Sequence, residues 1–207
     1  EIAYMKIKAL LQQTDEMLHH YLSVLRHFDG LPALGLRLYL VPVLWMAGMQ
    51  KYASFDDTVS WFGDPDFGLG LPMPWLMAFL ATAAELGGAV LLAVGLATRW
   101  VSIPLLITMI VAILTVHGEF GWQAIADANA PFANERVVQA VANLDSIRAL
   151  VREHGDYEAL TGSGSIVILN NGVEFAVTYA LMLLALMVSG GGRYVSLDYF
   201  WARWLRK

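Results

Sequence analysis

The sequence predicts an all-α integral membrane protein, a four-helix transmembrane bundle with an N-terminal amphipathic helix and an outer helical segment. Three observations predict it. Hydrophobic residues make up 57% of the 207-residue chain against 15% charged, and the mean hydropathy of +0.55 exceeds that of ordinary water-soluble domains. The apolar residues fall in blocks of span length rather than at core periodicity. The most apolar block, Pro74–Ala97, holds a single ionisable group, Glu85. At 1.5 Å per residue its two dozen residues suffice for a hydrocarbon slab of about 30 Å. A carboxylate there is costly in lipid, so Glu85 must face protein and a partner.

Residues 1–30 form the first element. Ile7, Leu11, Leu18, Leu22, Leu25 and Phe28 recur at helical spacing, with Lys, Gln, Asp and Arg on the opposite face. Such a helix lies along a membrane surface or docks on a partner. His19, His20 and His27 are read as a solvated face, because adjacent histidines point in different directions. No apolar core marks residues 1–29 as a signal peptide, and Glu1 implies numbering that starts inside the natural chain.

Gly30-Leu31-Pro32 ends that helix and opens the first span, about 31–50, which carries Arg37 and Pro42. Residues 54–73, rich in Gly, Pro and Asp, read as a loop whose aromatics suit the headgroup zone. The second span is 74–97 and the third 100–116, closing on His117-Gly118-Glu119. An outer insertion follows over 120–170. Within it Asn134 caps a helix with Val137, Val141, Leu144, Ile147 and Val151 on one stripe. The fourth span, about 172–188, has Glu174 in its first turn, and residues 201–207 are a basic-aromatic tail.

The connection 51–73 has one Lys against four Asp, and 119–170 has three Arg against seven acids, whereas the remaining connections are basic. The positive-inside rule therefore expects both termini in the cytoplasm and both acidic connections outside. A net charge of −5 without a basic stripe argues against nucleic acid. The absence of cysteine excludes disulfides, thiol redox chemistry and thiolate metal ligation.

Depth counting puts Arg37 and Glu85 about 9 Å apart along the membrane normal, so an Arg37–Glu85 ion pair is the expected way both charges are tolerated. The pair is either a structural staple or a proton or quinone-headgroup site. A second constellation is expected at the outer mouth, where His117, Glu119 and Glu174 lie near Lys51 and Asn171. It offers hydrogen bonds to a small polar headgroup; the bland alternative is a wet helix end. For metal the bland alternative prevails, since His-x-Glu at a helix end is a weak signal. Gly87-Gly88 lets a neighbouring helix approach.

Several motifs in order resemble the DoxX family of small four-span bacterial membrane proteins, with its DoxD relatives. They are Gly35-Leu36-Arg37, Ala47-Gly48-Met49-Gln50-Lys51, Glu85-Leu86-Gly87-Gly88, Gly95-Leu96-Ala97-Thr98-Arg99, His117, Asn171-Gly172-Val173-Glu174-Phe175 and Gly192-Arg193-Tyr194-Val195-Ser196-Leu197-Asp198. The resemblance covers about residues 33–200. Residues 1–30 and the long third connection depart from the family pattern and suggest docking surfaces. The resemblance implies an inner-membrane subunit of a quinone- or quinol-linked redox complex, in the manner of quinol oxidase or thiosulfate:quinone oxidoreductase subunits. Many members have no known activity. Arg37, Glu85, His117 and Glu174 match the family's polar positions and are the candidate proton and quinone residues, with Lys51, Asn171 and Glu119 as weaker headgroup contacts. No covalently attached cofactor is implied; quinone or quinol is the candidate ligand. Expected partners are the lipid bilayer and larger membrane or periplasmic redox subunits, and a homo-oligomer is compatible with the pattern. The competing functions are a non-catalytic anchor or assembly subunit and a small transporter.

Overall fold

The computed structural model describes residues 28–206 continuously, with residues 4, 7, 8, 12–15 and 17 before them. Most of the expected N-terminal amphipathic helix, with His19, His20 and His27, lies outside the described residues. Among the described residues the chain is helical; an isolated bridge joins Ile125 to Leu169. The helices are α1 (Leu31–Ala53), α2 (Phe55–Gly63), α3 (Pro74–Val94), α4 (Thr98–Ala112), α5 (Glu135–His154), α6 (Tyr157–Thr161), α7 (Glu174–Ser189) and α8 (Leu197–Leu205). Helix α4 runs on through a π-turn, Ile113–His117, and a 3₁₀ turn, Gly118–Phe120.

Helices α1, α3 and the α4 rod are long and apolar enough to cross a membrane. Helix α7 is apolar but 16 residues long. The four pack in a ring: α1 on α3, α3 on α4, α4 on α7, and α7 back on α1. The core between them is built from Leu40, Leu44, Leu92, Leu105, Leu183 and Leu186. Large apolar side chains such as Met46, Trp100, Leu114 and Val188 are exposed, which in lipid is the expected arrangement and in water would be costly. As the sequence suggests, α4 comes close at Gly88. A Cβ there would stand 2.7 Å from Leu105 Cδ1, whereas Gly87 faces open space.

Two connections differ from expectation. Residues 55–63, expected as loop, form α2, because Asp56 and Asp57 occupy its first turn and Phe62 is buried. Past it, Asp64 Oδ1 accepts from the Asp66 and Phe67 amides at 2.8 and 3.1 Å. The Phe67 and then the Asp66 amide hold its carboxyl below the usual carboxylate range. The second span stops at Val94 rather than Ala97. Gly95 takes φ 64°, with Gly95 N–H bonded to Leu92 O and Leu96 N–H to Leu91 O, a Schellman cap that ends α3.

In the outer segment Asn134 Oδ1 accepts from the Val137 amide at 2.9 Å, the expected cap. Val137 and Leu144 are buried, but Ile147, on the same stripe, is 45% exposed.

The bundle is knotted at the end where α1 begins. Arg37 is 1% exposed, and all five of its N–H groups meet main-chain carbonyls. Nε donates to Leu92 at 2.7 Å, Nη2 to Ala93 and Val195 at 3.0 and 2.7 Å, and Nη1 to Gly191 and Tyr194 at 2.9 and 3.3 Å. A Cβ at Gly95 would lie 2.7 Å from the guanidinium carbon, so the cradle requires glycine there. Beside it Asp198 accepts from the Ala97 and Thr98 amides at 2.7 and 2.9 Å, capping α4 from a remote part of the chain.

Replacing Arg37 with Met is expected to lower stability by about 3–5 kcal/mol, because five carbonyls, those of Leu92 and Gly191 in buried bonds, lose their donor. Arg37→Lys, with three donors, should recover only part of it. Thermal unfolding of the purified chain in detergent checks both; a melting temperature unchanged in the Met variant would refute the knot.

Candidate functional site

The residue that most needed a partner has one. Lys51 Nζ reaches both Glu85 oxygens, Oε1 at 2.9 Å and Oε2 at 2.8 Å. The Glu85 side chain is 5% exposed and that of Lys51 25%. The expected Arg37–Glu85 pair is therefore incorrect, and the reason is geometric. A Cβ on Gly48 would lie 3.1 Å from Glu85 Cβ, so Gly48 marks the level of Glu85 on α1. Arg37 is eleven residues below that level, about 16 Å along the helix. Helical side chains also lean toward their own N-terminus. In antiparallel α1 and α3 that tilt carries Arg37 away from Glu85 and brings Lys51 and Glu85 toward each other.

The pair lines a cavity of about 450 Å³. Its walls come from α2, from the turn carrying Leu69 and Leu71, and from the halves of α3 and α4 away from the Arg37 knot. Met77, Leu80, Ala84, Ile107, Met109 and Val116 are among its apolar lining; its polar groups are Lys51, Glu85, Thr108, Thr115 and His117. Such a space, apolar with a few convergent polar groups, is the usual form of a small-molecule site. The π-turn delivers Thr115 and His117 to the wall, and π-turns within helices occur often at functional positions.

His117 Nδ1 lies 2.8 Å from the Asn171 carbonyl oxygen. A carbonyl only accepts, so Nδ1 carries the proton and, in the neutral ring, Nε2 presents its lone pair. Asn171 contributes through this main-chain oxygen, with φ 62° turning the carbonyl toward His117.

The remaining candidates fall elsewhere. Glu174 lines a separate cavity, where its Oε2 accepts from the Ala124 amide at 2.9 Å. Glu119 is exposed and outside both cavities. Arg37 sits in the knot at the opposite end. The expected outer-mouth constellation of His117, Glu119 and Glu174 is thus divided, and Glu85 and His117 share a cavity instead. Among the described residues no group of three or more His, Cys, Asp and Glu side chains is placed to hold a metal ion. Sequence reasoning undervalued Lys51, whose signal was available in Gly48, one turn before it, and in the tilt of helical side chains. It missed Thr115 and the π-turn, for which the sequence holds no clear sign.

The family model described as DoxX matches residues 33–118, the stretch from the Arg37 helix to His117. "Inner membrane protein YphA" of Escherichia coli (strain K12) is 33% identical over 117 residues, covering 53% of this chain and 78% of that protein. The chain belongs to the DoxX family. "Putative oxidoreductase CatD" of Bacillus subtilis (strain 168) is 37% identical over 81 residues, 39% of this chain. This DoxX protein spans 56% of the length of that relative. No solved structure matches the chain.

The Lys51–Glu85 pair allows a double-mutant test. Lys51→Met alone is expected to cost about 2–4 kcal/mol by leaving Glu85 buried without a counter-charge. Adding Glu85→Gln should restore most of it, giving a non-additive cycle. Thermal melts of the two single variants and the double variant in detergent measure the coupling; strict additivity would rule out the pair.

Proposed function

We propose that this DoxX protein is an inner-membrane subunit of a quinone- or quinol-linked redox complex, and that the α3–α4 cavity takes the quinone headgroup. The observation that carries the reading is the cavity itself. It joins an apolar wall to the Lys51–Glu85 pair and to His117. The name of the Bacillus relative, "Putative oxidoreductase CatD", supports the class of chemistry.

The residues fit such a group in kind. Lys51 has a donor left after its two bonds to Glu85, and a quinone carbonyl accepts. His117 Nε2 accepts, and a quinol hydroxyl donates. Bound there, a quinol would supply two electrons and two protons on oxidation. In this reading His117 Nε2 takes a hydroxyl hydrogen bond and one proton, the Glu85 carboxylate beside Lys51 takes the proton of the second hydroxyl, and a partner subunit receives the two electrons. The apolar wall keeps water from the ring. Arg37 serves the fold, and Glu174 lies outside this cavity.

A second reading, an anchoring or assembly subunit, has its own support. Val138, Ile147 and Leu150 are exposed on the charged outer helix α5, where apolar side chains suit a partner.

Titration of the full chain in detergent with a decyl-tailed benzoquinone is expected to give saturable binding. Lys51→Met or His117→Leu should weaken it roughly tenfold, the loss of one hydrogen bond to a charged or buried group. Failure of the unmutated chain to bind would sink the quinone reading and leave the anchoring one.

Both termini are assigned to the cytoplasm, from the charge of the connections. The cysteine-free sequence makes this testable with single introduced cysteines. A membrane-impermeant maleimide should label Ser54→Cys in spheroplasts, and Arg206→Cys only after permeabilisation; the reverse pattern would invert the topology.

A further inference from the structure

The cavity that holds Glu174 is a site in its own right. It measures about 500 Å³ and opens at the outer end of the bundle, between the loop 122–132 and the first turn of α7. Trp122, Ile125, Asp127, Phe132, Glu174 and Phe175 line it, and no Lys, Arg or His shares the lining. Two carboxylates and three aromatic rings thus face one space from segments more than 40 residues apart in sequence.

Both carboxylates keep acceptor capacity toward the cavity. Glu174 uses Oε2 on the Ala124 amide, and its other oxygen has no partner among the described residues. Asp127 uses Oδ1 on the Asn129 amide. Its position is fixed by Gln123, which donates through Nε2 to the Asp127 carbonyl and accepts at Oε1 from the Asp127 amide, each at 3.0 Å. The rings are held in place too. Trp122 and Phe132 meet edge to face at 6.1 Å, and Phe175 stacks on Tyr179 at 6.3 Å. Phe132 is 77% exposed and sits at φ 65°, so neither burial nor backbone preference accounts for its placement.

Negative charge beside aromatic rings selects one ligand chemistry. A ring face attracts a cation whose charge is spread over carbon-bearing groups, and carboxylates attract the same charge. A metal ion would have to shed water for rings and two carboxylates, too few oxygens to replace its hydration shell, and an anion would be repelled. We propose that this cavity binds an organic ammonium group, independently of the quinone reading. The group is supplied either by an aminophospholipid headgroup of the adjoining leaflet or by a soluble amine.

The full chain in detergent is titrated calorimetrically with tetramethylammonium chloride and with ethanolamine. In parallel, native mass spectrometry compares lipid retained from nanodiscs of phosphatidylethanolamine and of phosphatidylglycerol. Saturable binding of the soluble ions identifies a free amine as the ligand; selective retention of phosphatidylethanolamine without it identifies the headgroup. In whichever arm responds, Glu174→Gln should weaken binding roughly tenfold, the loss of a charge-assisted contact. Phe132→Leu should weaken it severalfold with the melting temperature unchanged. Should Glu174→Gln fail to fold, the exposed Phe132→Leu decides alone. No saturable binding together with no lipid preference, or binding indifferent to these substitutions, overturns the proposal.

Discussion

The structure depends on where one guanidinium goes. In hydrocarbon a helix end cannot leave its last carbonyls to water, and a buried cation cannot leave its charge to solvent. Arg37 answers both needs at once, because its planar fork spans the end of α3 and the segment after α7. The carbonyls of a helix C-terminus carry partial negative charge, so the cation sits where the α3 dipole favours it. Asp198 does the converse at the N-terminus of α4. The tight turn Gly95–Ala97 thus lies between a cation on the helix it ends and an anion on the helix it begins. Parts of α1, α3, α4 and the last segment of the chain are joined by these two side chains.

Fixing that end sets the register of everything above it. With Arg37 held at the last turn of α3, α1 runs past α3 so that Gly48 meets Glu85 and Lys51 leans back onto the carboxylate. The α3–α4 pair is in close contact at Gly88 and Leu105, toward the knotted end. Beyond that contact the wall residues Thr108 to His117 border open volume. The cavity is therefore a consequence of packing tightly at one end of the helix pair, with α2 and its following turn covering the opening.

Much of this was legible in sequence, and the illegible parts share a cause. Apolar runs located the three long helices and α7, since hydropathy needs no tertiary information. The Asn134 cap is a local signal and was read correctly. Glu85 announced that it needed a cation, but two were within reach on α1. Depth counting alone favoured Arg37; the direction of helical side chains, which favours Lys51, was left unused. Arg37's true partners are main-chain carbonyls, which no residue pattern identifies. Asp198 could not be seen as a cap for α4, because its amides are about a hundred residues away. Residues 55–63 looked like loop because of the Gly-, Pro- and Asp-rich stretch after them, although Asp56 and Asp57 favour a helix start.

Unspent hydrogen-bonding capacity distinguishes the Arg37 knot from the cavity-lining groups of this chain. At the knotted end the strongest polar group is saturated, five donors on five acceptors, and a saturated group has nothing to offer a ligand. At the other end, His117 spends one ring nitrogen on Asn171 and Glu174 one oxygen on Ala124, and each keeps the second. Lys51 spends two of three donors. Each of these half-satisfied groups lines a cavity. Buried polar atoms left half-paired are costly in a membrane protein unless something completes them. At the end opposite the Arg37 knot, Lys51, His117 and Glu174 each keep hydrogen-bonding capacity and each line a cavity with room for a molecule that would complete them.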